Sequence, residues 1–401
     1  MTSFLRRTWA EIDLNALEHN YNEIRKATAP ESEIMCVIKA DAYGHGAVKT
    51  AHEFERLGAN RFAVSNIEEA LQLRENGITA PILILGFTPA SAAEALAKNH
   101  IAQAVFSEDY ARELSACAVK QGVTVNIHIK LDTGMSRIGF MYQDPERDKN
   151  SISEIVRVCG LDGLEHEGIF THFAVSDEGD EGKDYTLKQL DCFSKAIENL
   201  KACGVEFALR HCSNSGAIID YKQAHMNCVR AGIILYGLFP SSKLSDRLDL
   251  KPVMQIKSVI AQIKYVEPNT AVSYGGIYKT DKKTRIATVP IGYADGYTRS
   301  LGNRAKMLVG GQYVPVIGRV CMDQLMLDIS GVENVQVGDE VTVIGTDGQN
   351  SITFEEIAAL TGTINYEVIC VVGKRVPRIY YKDGKKIGVM DCIYSGEAVL
   401  G

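Results

Sequence analysis

The residues of this chain best suited to chemistry fall at the ends of short apolar runs. The run 34–38 (IMCVI) leads directly into Lys39, and a turn carrying Tyr43, Gly44, His45 and Gly46 follows. A lysine at the mouth of a buried strand is either a solvated amine that caps the strand or a desolvated amine that forms a Schiff base with a carbonyl. VNIHIKL at 125–131 brings Lys130, with Asp132 and Arg137 just beyond it, and EGIFTHF at 167–173 contains His172. ALRHC at 208–212 carries His211 and is followed by Asn214 and Ser215; NCVR at 227–230 ends in Arg230, with Gly232 and Ile233 next. Taken singly, each of these is more often structural. Their recurrence at the same place in successive runs is what a common rim gives.

Such a rim requires a particular scaffold. Further apolar runs at 61–64 (RFAV), 82–85 (ILIL) and 104–106 (AVF) bring the total to eight, with helix-like segments between most of them. Non-alternating apolar strands separated by amphipathic helices pair in parallel and are buried on both faces. Eight of them predict a (β/α)8 barrel, in which functional groups gather at the carboxyl ends of the strands. An open doubly wound sheet is the alternative. Ahead of the first strand, Asp13 as N-cap and the spacing of Leu14, Leu17, Tyr21 and Ile24 predict a helix. The texture changes at Pro240, where PSSKLSDRLDLKP reads as a linker. Beyond it, β-rich segments alternate with glycine and aspartate turns, interrupted by the helix-like TFEEIAALTG with Thr353 as N-cap and Glu356 three residues on. The expected division is a barrel domain over 1–245 and a mostly β domain over 246–401.

The chain has 401 residues, 46% hydrophobic and 23% charged, which allows a large core. A net charge of −7 gives no basic footprint, so neither nucleic acid nor an anionic membrane is an expected partner. The N-terminal MTSFLRRTWAEIDL has two arginines but no apolar h-region, and no run is long enough to span a bilayer. Ten cysteines are scattered without a CxxC pair, several inside apolar runs, which fits reduced thiols in a cytoplasm and offers no metal centre.

The runs that end at His211 and Arg230 have a second reading. Ser215 supplies a hydroxyl among small residues, and Gly232 and Ile233 supply backbone N–H groups, so the pair of loops forms either an anion cradle or an ordinary βα turn. A phosphate cradle on one side of a rim and a lysine on the other fit pyridoxal 5'-phosphate, whose aldehyde must reach an amine while its phosphate is anchored elsewhere. IKADAYGHG at 38–46 resembles the cofactor-attachment motif of alanine racemases. The resemblance extends over nearly the whole chain through KLDTGMSRIGF, GIFTHFA, SNSGA, VRAGI, VSYGG, IGYADGY, GRVCMDQ, INYEV and RVPRIY, in order.

The resemblance implies a barrel domain and a β domain in a homodimer, each active site completed by the partner's β domain. Lys39 would hold the cofactor and act as one base; Tyr274, in VSYGG of the other subunit, would be the second. One base removes the α-proton of an amino acid and the other returns it from the far face. His172, and through it a basic network including Arg230, would lie beside this tyrosine and make its phenolate accessible. Arg230 would face the pyridine nitrogen and disfavour its protonation, with His211 in support. Tyr43, Ser215, Gly232, Ile233 and Tyr366 would contact the phosphate. Arg137 would face the cofactor's phenolic oxygen and the substrate carboxylate, held by a carbamylated Lys130; an unmodified Lys130 bound to Asp132 or a neighbouring carboxylate is the alternative. Met322 would offer its backbone N–H to the substrate carboxylate, and Tyr293 with Asp323 would line the entrance. The activity so implied is interconversion of L- and D-alanine for peptidoglycan synthesis. A serine or broad-specificity racemase and an amino-acid decarboxylase of the same fold are the other enzymatic readings, and a non-enzymatic pyridoxal-phosphate carrier would resemble the first domain only.

Overall fold

The computed structural model describes residues 6–245 and 247–393. Two compact units emerge, one of Leu17–Tyr43 and Ala47–Lys251, the other of Met1–Ala16, Gly44–Gly46 and Pro252–Gly401. The first strand, β1 (Thr8–Asp13), belongs to the second unit, and Asp13 then caps the helix Leu14–Ala27 by accepting from Asn15 N at 2.8 Å. The expected boundary at 245/246 abuts Asp246, which lies outside the described residues, as do positions 1–5 of the N-terminal stretch and 394–401 of the C-terminal end.

The barrel unit is an all-parallel sheet of β2 (Glu33–Val37), β3 (Arg61–Val64), β4 (Ile82–Ile84), β5 (Ile101–Val105), β6 (Val125–Asp132), β8 (Leu164–Phe170), β9 (Leu209–His211) and β10 (Cys228–Ala231), with the short β7 (Phe140–Met141) beside β6. β10 pairs with β2, and the remaining seam between β9 and β10 is bridged by the Arg230 N–H donating to Ser213 C=O at 3.0 Å. Helices follow the strands with ordinary start and stop chemistry. Ser107 accepts from Tyr110 N ahead of the helix Glu108–Gln121, and Gly122 ends it at φ 66°. The strand expected at 104–106 occupies Ile101–Val105 instead. Gln103 in its middle is fully buried, with its amide donated to Gly86 O, so a polar residue sits inside a strand that hydropathy alone would end. Part of the expected linker is ordered too: Ser242–Leu244 forms a 3-10 turn with Leu244 buried.

In the second unit, β11 (Met254–Val259), β12 (Gln262–Val266), β13 (Ala271–Val272), β14 (Tyr278–Lys279), β15 (Thr284–Val289), β16 (Lys306–Val309), β17 (Gln312–Ile317), β18 (Leu325–Asp328), β19 (Glu340–Asp347), β20 (Asn350–Ile352), β21 (Arg378–Lys382) and β22 (Lys385–Met390) are strands. The main sheet runs β12-β15-β18-β17-β16-β19-β11-β1-β21-β22, with β20 on β19. β1 lies between β11 and β21, partners more than two hundred residues away in sequence, and brings Trp9 and Ile12 into the core. The helix Phe354–Thr361 begins with Thr353 accepting from Glu356 N at 3.1 Å.

Candidate active site

β2 stops at Val37, and the chain then turns with an uncommon hand. Ala40, Asp41, Ala42 and Tyr43 all have φ between 53° and 54°, a left-handed turn of four non-glycine residues. Each costs about 1–2 kcal/mol relative to the right-handed form. The turn is held by Ala40 N donating to Glu69 Oε1, Ala47 N donating to Asp41 Oδ1, each at 2.7 Å, and Ala42 N donating to Ile38 O at 2.9 Å. Strain over-determined in this way marks functional turns. It sets half-buried Lys39 just past the carboxyl end of β2 and sends Tyr43 into the core.

Tyr43 leads to the cradle. The Gly232 N–H donates to Ser215 Oγ at 3.1 Å, and a Cβ on Gly232 would lie 2.9 Å from Tyr43 Oη and 3.4 Å from Ser215 Oγ. Two hydroxyls and a backbone N–H therefore converge on space that only glycine leaves open, beside Ile233, which starts the turn Ile233–Tyr236. The donors are neutral and suit a phosphate held without a cation. Asn214 fixes the Ser215 loop by accepting from Ala217 N at 3.0 Å and from Ser176 Oγ at 2.7 Å.

The rest of the rim is cationic. Arg230 is 3% exposed; its NH1 donates to His211 O and His211 Nδ1 at 2.9 Å, and its NH2 to Thr171 O at 2.8 Å, Cys212 O at 3.2 Å and His172 Nδ1 at 3.3 Å. Its Nε donates to none of the described residues, which leaves one N–H of a fixed guanidinium for a ring acceptor. His172 is held well below the ordinary histidine range, first by burial and then by Arg230, Arg137, Lys130 and Lys39, so it is neutral. With Nδ1 accepting from Arg230, its proton belongs on Nε2.

Lys130 is pushed down to about 7, chiefly by burial, with Arg230 and Arg137 adding to the fall and Asp132 opposing it. Its amine donates to Leu131 O at 2.5 Å and Ile138 O at 3.2 Å. Asp132 does not bond it; its Oδ1 accepts the backbone N–H groups of Gly134, Met135 and Ser136 at 2.9–3.0 Å and shapes the loop that carries exposed Arg137. A buried lysine near neutrality is the nucleophilic form that carbon dioxide requires.

Within the β-rich unit, Tyr274 is 66% and Met322 52% exposed. The backbone beneath Tyr274 is fixed: Ser273, at φ 65°, donates its hydroxyl to Arg319 O at 2.7 Å. Tyr293 N and Ala294 N donate to Cys321 O and Met322 O at 3.1 Å, and buried Asp295 accepts from Arg7 at 2.7 Å and Arg375 at 2.9 Å. Arg375 also donates to Asp323 at 2.7 Å, so the Tyr293 turn and the Met322–Asp323 loop form one platform. The Met322 N–H donates to none of the described residues. Tyr366 is half-buried on the short helix Asn365–Cys370.

His128 and Glu167, which reach the rim from below, were not among the residues expected from the sequence. The signal was present: His128 stands two residues before Lys130, the spacing that puts both on one face of a strand. Among the described residues no group of His, Cys, Asp or Glu could hold a metal ion, and no helix is long and apolar enough to cross a membrane.

The fold and rim define a class: a parallel barrel with a β-rich second unit, a cationic rim and a neutral anion cradle. Comparison with known proteins makes it specific. Models of the alanine racemase N-terminal and C-terminal domains match residues 12–240 and 253–380. The alanine racemase of Desulfovibrio desulfuricans is 49% identical over 380 residues, 95% of this chain and 100% of that protein. Alanine racemase 1 of Clostridium acetobutylicum is 45% identical, over 98% of this chain and 100% of that protein. The solved alanine racemase of Clostridium difficile superposes with a TM-score of 0.92 at 43% identity, covering 98% of this chain and 100% of that one. The chain belongs to the alanine racemase family.

Proposed function

We propose that this chain is one subunit of a homodimeric, pyridoxal-phosphate-dependent racemase that interconverts L- and D-alanine in the cytoplasm and supplies D-alanine for peptidoglycan. Family membership carries the activity. What carries the site is the convergence of Lys39, the Arg230–His172 pair and the Tyr43–Ser215–Gly232 cradle at the carboxyl ends of the barrel strands. Pyridoxal phosphate, when bound, withdraws electrons from the substrate α-carbon and acidifies its proton.

The chain's own groups do the rest. Lys39 anchors the cofactor and moves the α-proton on one face; Tyr274 of a second copy moves it on the other. Tyrosine is a weak base at about pKa 10, and neutral His172, with its Nε2–H available, is a donor suited to stabilising the phenolate. Tyr43, Ser215, Gly232 and Ile233 hold the phosphate, joined by Tyr366. Arg230 stays cationic and disfavours a proton on the ring nitrogen, which limits charge delocalisation and suppresses side reactions. A decarboxylase would be expected to place a carboxylate there. Arg137, steadied by a carbamylated Lys130, and the Met322 N–H bind the substrate carboxylate. The exposed Tyr274, Tyr293 and Met322 are apolar groups that a second copy would cover. Ten cysteines with no disulfide among the described residues fit a reducing compartment.

The deciding experiment incubates purified protein with pyridoxal phosphate and L-alanine and follows D-alanine with D-amino-acid oxidase. Appearance of D-alanine, and its reversal from the D-enantiomer, is expected. Carbon dioxide release without D-alanine would overturn the reading.

A further inference from the structure

A buried guanidinium needs a counter-charge, and Arg230 touches none among the described residues, since every acceptor it meets there is a carbonyl or an imidazole. The contacts on the far side of His211 lead to one. His211 Nε2 lies 2.9 Å from His128 Nδ1, and His128 Nε2 lies 3.7 Å from Glu167 Oε2, an electrostatic contact. Glu167 also accepts from Arg61 at 2.9 Å, and Arg61 bonds Glu33. The strands are built around this path. A Cβ on Gly168 would come within 2.4 Å of His128 Nδ1, so the ring fits only because β8 has glycine there. Phe170 stacks on His211 at 4.9 Å and 3° and lies 5.4 Å from the Arg230 guanidinium, closing the side of the path.

The ends fix the direction of every bond. A guanidinium only donates, so His211 Nδ1 accepts. Its proton then sits on Nε2 and is given to His128 Nδ1, and the His128 proton sits on Nε2, toward a carboxylate that only accepts. Burial holds both rings below the ordinary histidine range; at His128 Glu167 opposes the fall, and at both rings Arg230 and Arg61 add to it. Both are therefore neutral. Reversing the two tautomers together would set an N–H of His211 against an N–H of Arg230, donor to donor.

We propose that His128 and Glu167 are positioning residues for Arg230: the Glu167 carboxylate, relayed through two neutral imidazoles, is the counter-charge that fixes the guanidinium in place and in orientation. The inference rests on the reading in which Arg230 faces the cofactor's ring nitrogen. It adds to that reading a reason why the arginine holds its place without a carboxylate beside it.

The test is nitrogen NMR of histidine-labelled full-length protein, without added cofactor, paired with kinetics of the loaded enzyme. Both His211 and His128 should show a protonated Nε2 and a bare Nδ1, with a scalar coupling from His211 Nε2 to His128 Nδ1 across the hydrogen bond. An imidazolium at either ring, or the opposite tautomer, overturns the relay whatever the variants do. Glu167→Gln keeps the size and removes the charge. It should mix the His128 tautomers and lower kcat about tenfold, with the KM for alanine changed less than about twofold, and Glu167→Asp should recover part of the loss. Wild-type tautomers and kcat in Glu167→Gln overturn the proposal, as does a loss of kcat with unchanged tautomers, which marks packing alone. Should the wild type fail to racemise alanine, the functional reading falls while the tautomers still decide the relay.

Discussion

The barrel rim and the Tyr274 platform differ in how much of their chemistry is already satisfied. At the rim, Arg230 is buried with both terminal nitrogens engaged, and its histidines are held by further bonds. On the platform, Tyr274 and Met322 stand more than half exposed, and order comes from backbone contacts beneath them. The cationic network is therefore assembled within one fold, whereas Tyr274, the residue proposed as the second base, is presented at a surface. Where function requires a group from another chain, a single fold can fix that group's backbone but cannot bury its side chain.

This contrast can be broken or sharpened by substitution. Lys39→Ala should remove about 10³–10⁴-fold of kcat in both directions, since the rim loses its anchor and one base together. Tyr274→Phe should cost about 10²–10³-fold. Its signature is directional, because the variant should retain proton exchange with solvent from only one alanine enantiomer, read by deuterium incorporation. Equal loss of exchange from both would remove Tyr274 as a base. Mixing the two inactive variants after mild dissociation should restore roughly a quarter of wild-type activity, because about half the re-formed dimers would hold one intact site of two. No recovery would place Lys39 and Tyr274 of each site on the same chain.

Smaller effects test the cradle and Lys130. Gly232→Ala should weaken pyridoxal phosphate binding about tenfold in a fluorescence titration, since its Cβ enters the space between Tyr43 and Ser215, while kcat at saturating cofactor changes less. Lys130 has a folded pKa of about 7 against an ordinary value of 10.5, so its amine becomes neutral as pH rises through about 7. Uptake of labelled bicarbonate at Lys130, followed by carbon NMR, should increase across that range and vanish in Lys130→Gln. The same sign governs stability: the depressed pKa is a penalty at low pH that is relieved as pH rises from about 7 toward 10.5.

Much of the barrel is written locally. β2, β3 and β6 are short apolar runs, and the residues after them are the rim, so strand-end positions such as Lys39 and Arg230 could be found by reading where hydrophobicity stops. Gln103 hid the start of β5 because its amide nitrogen donates to the carbonyl of Gly86, seventeen residues away, which no window over the sequence records. TWAEID carries no local strand signal and becomes β1 only through partners at 254–258 and 378–381. His128 and Glu167 escaped notice because a buried histidine and a strand glutamate are ordinary until their partners are known.

The sequence by itself determined the repeating strand order, the types of residue at the rim and, through motifs spread from Lys39 to Arg378, the family. These depend on residue identity and spacing, which the chain carries explicitly. Only the tertiary structure decided the left-handed turn after β2, the opening that Gly232 leaves between Tyr43 and Ser215, the tautomers along Arg230, His211 and His128, the lowered pKa of Lys130 and the neutrality of His172. Each of these is a property of distance and burial, and a charge or a proton is placed by what surrounds it in space.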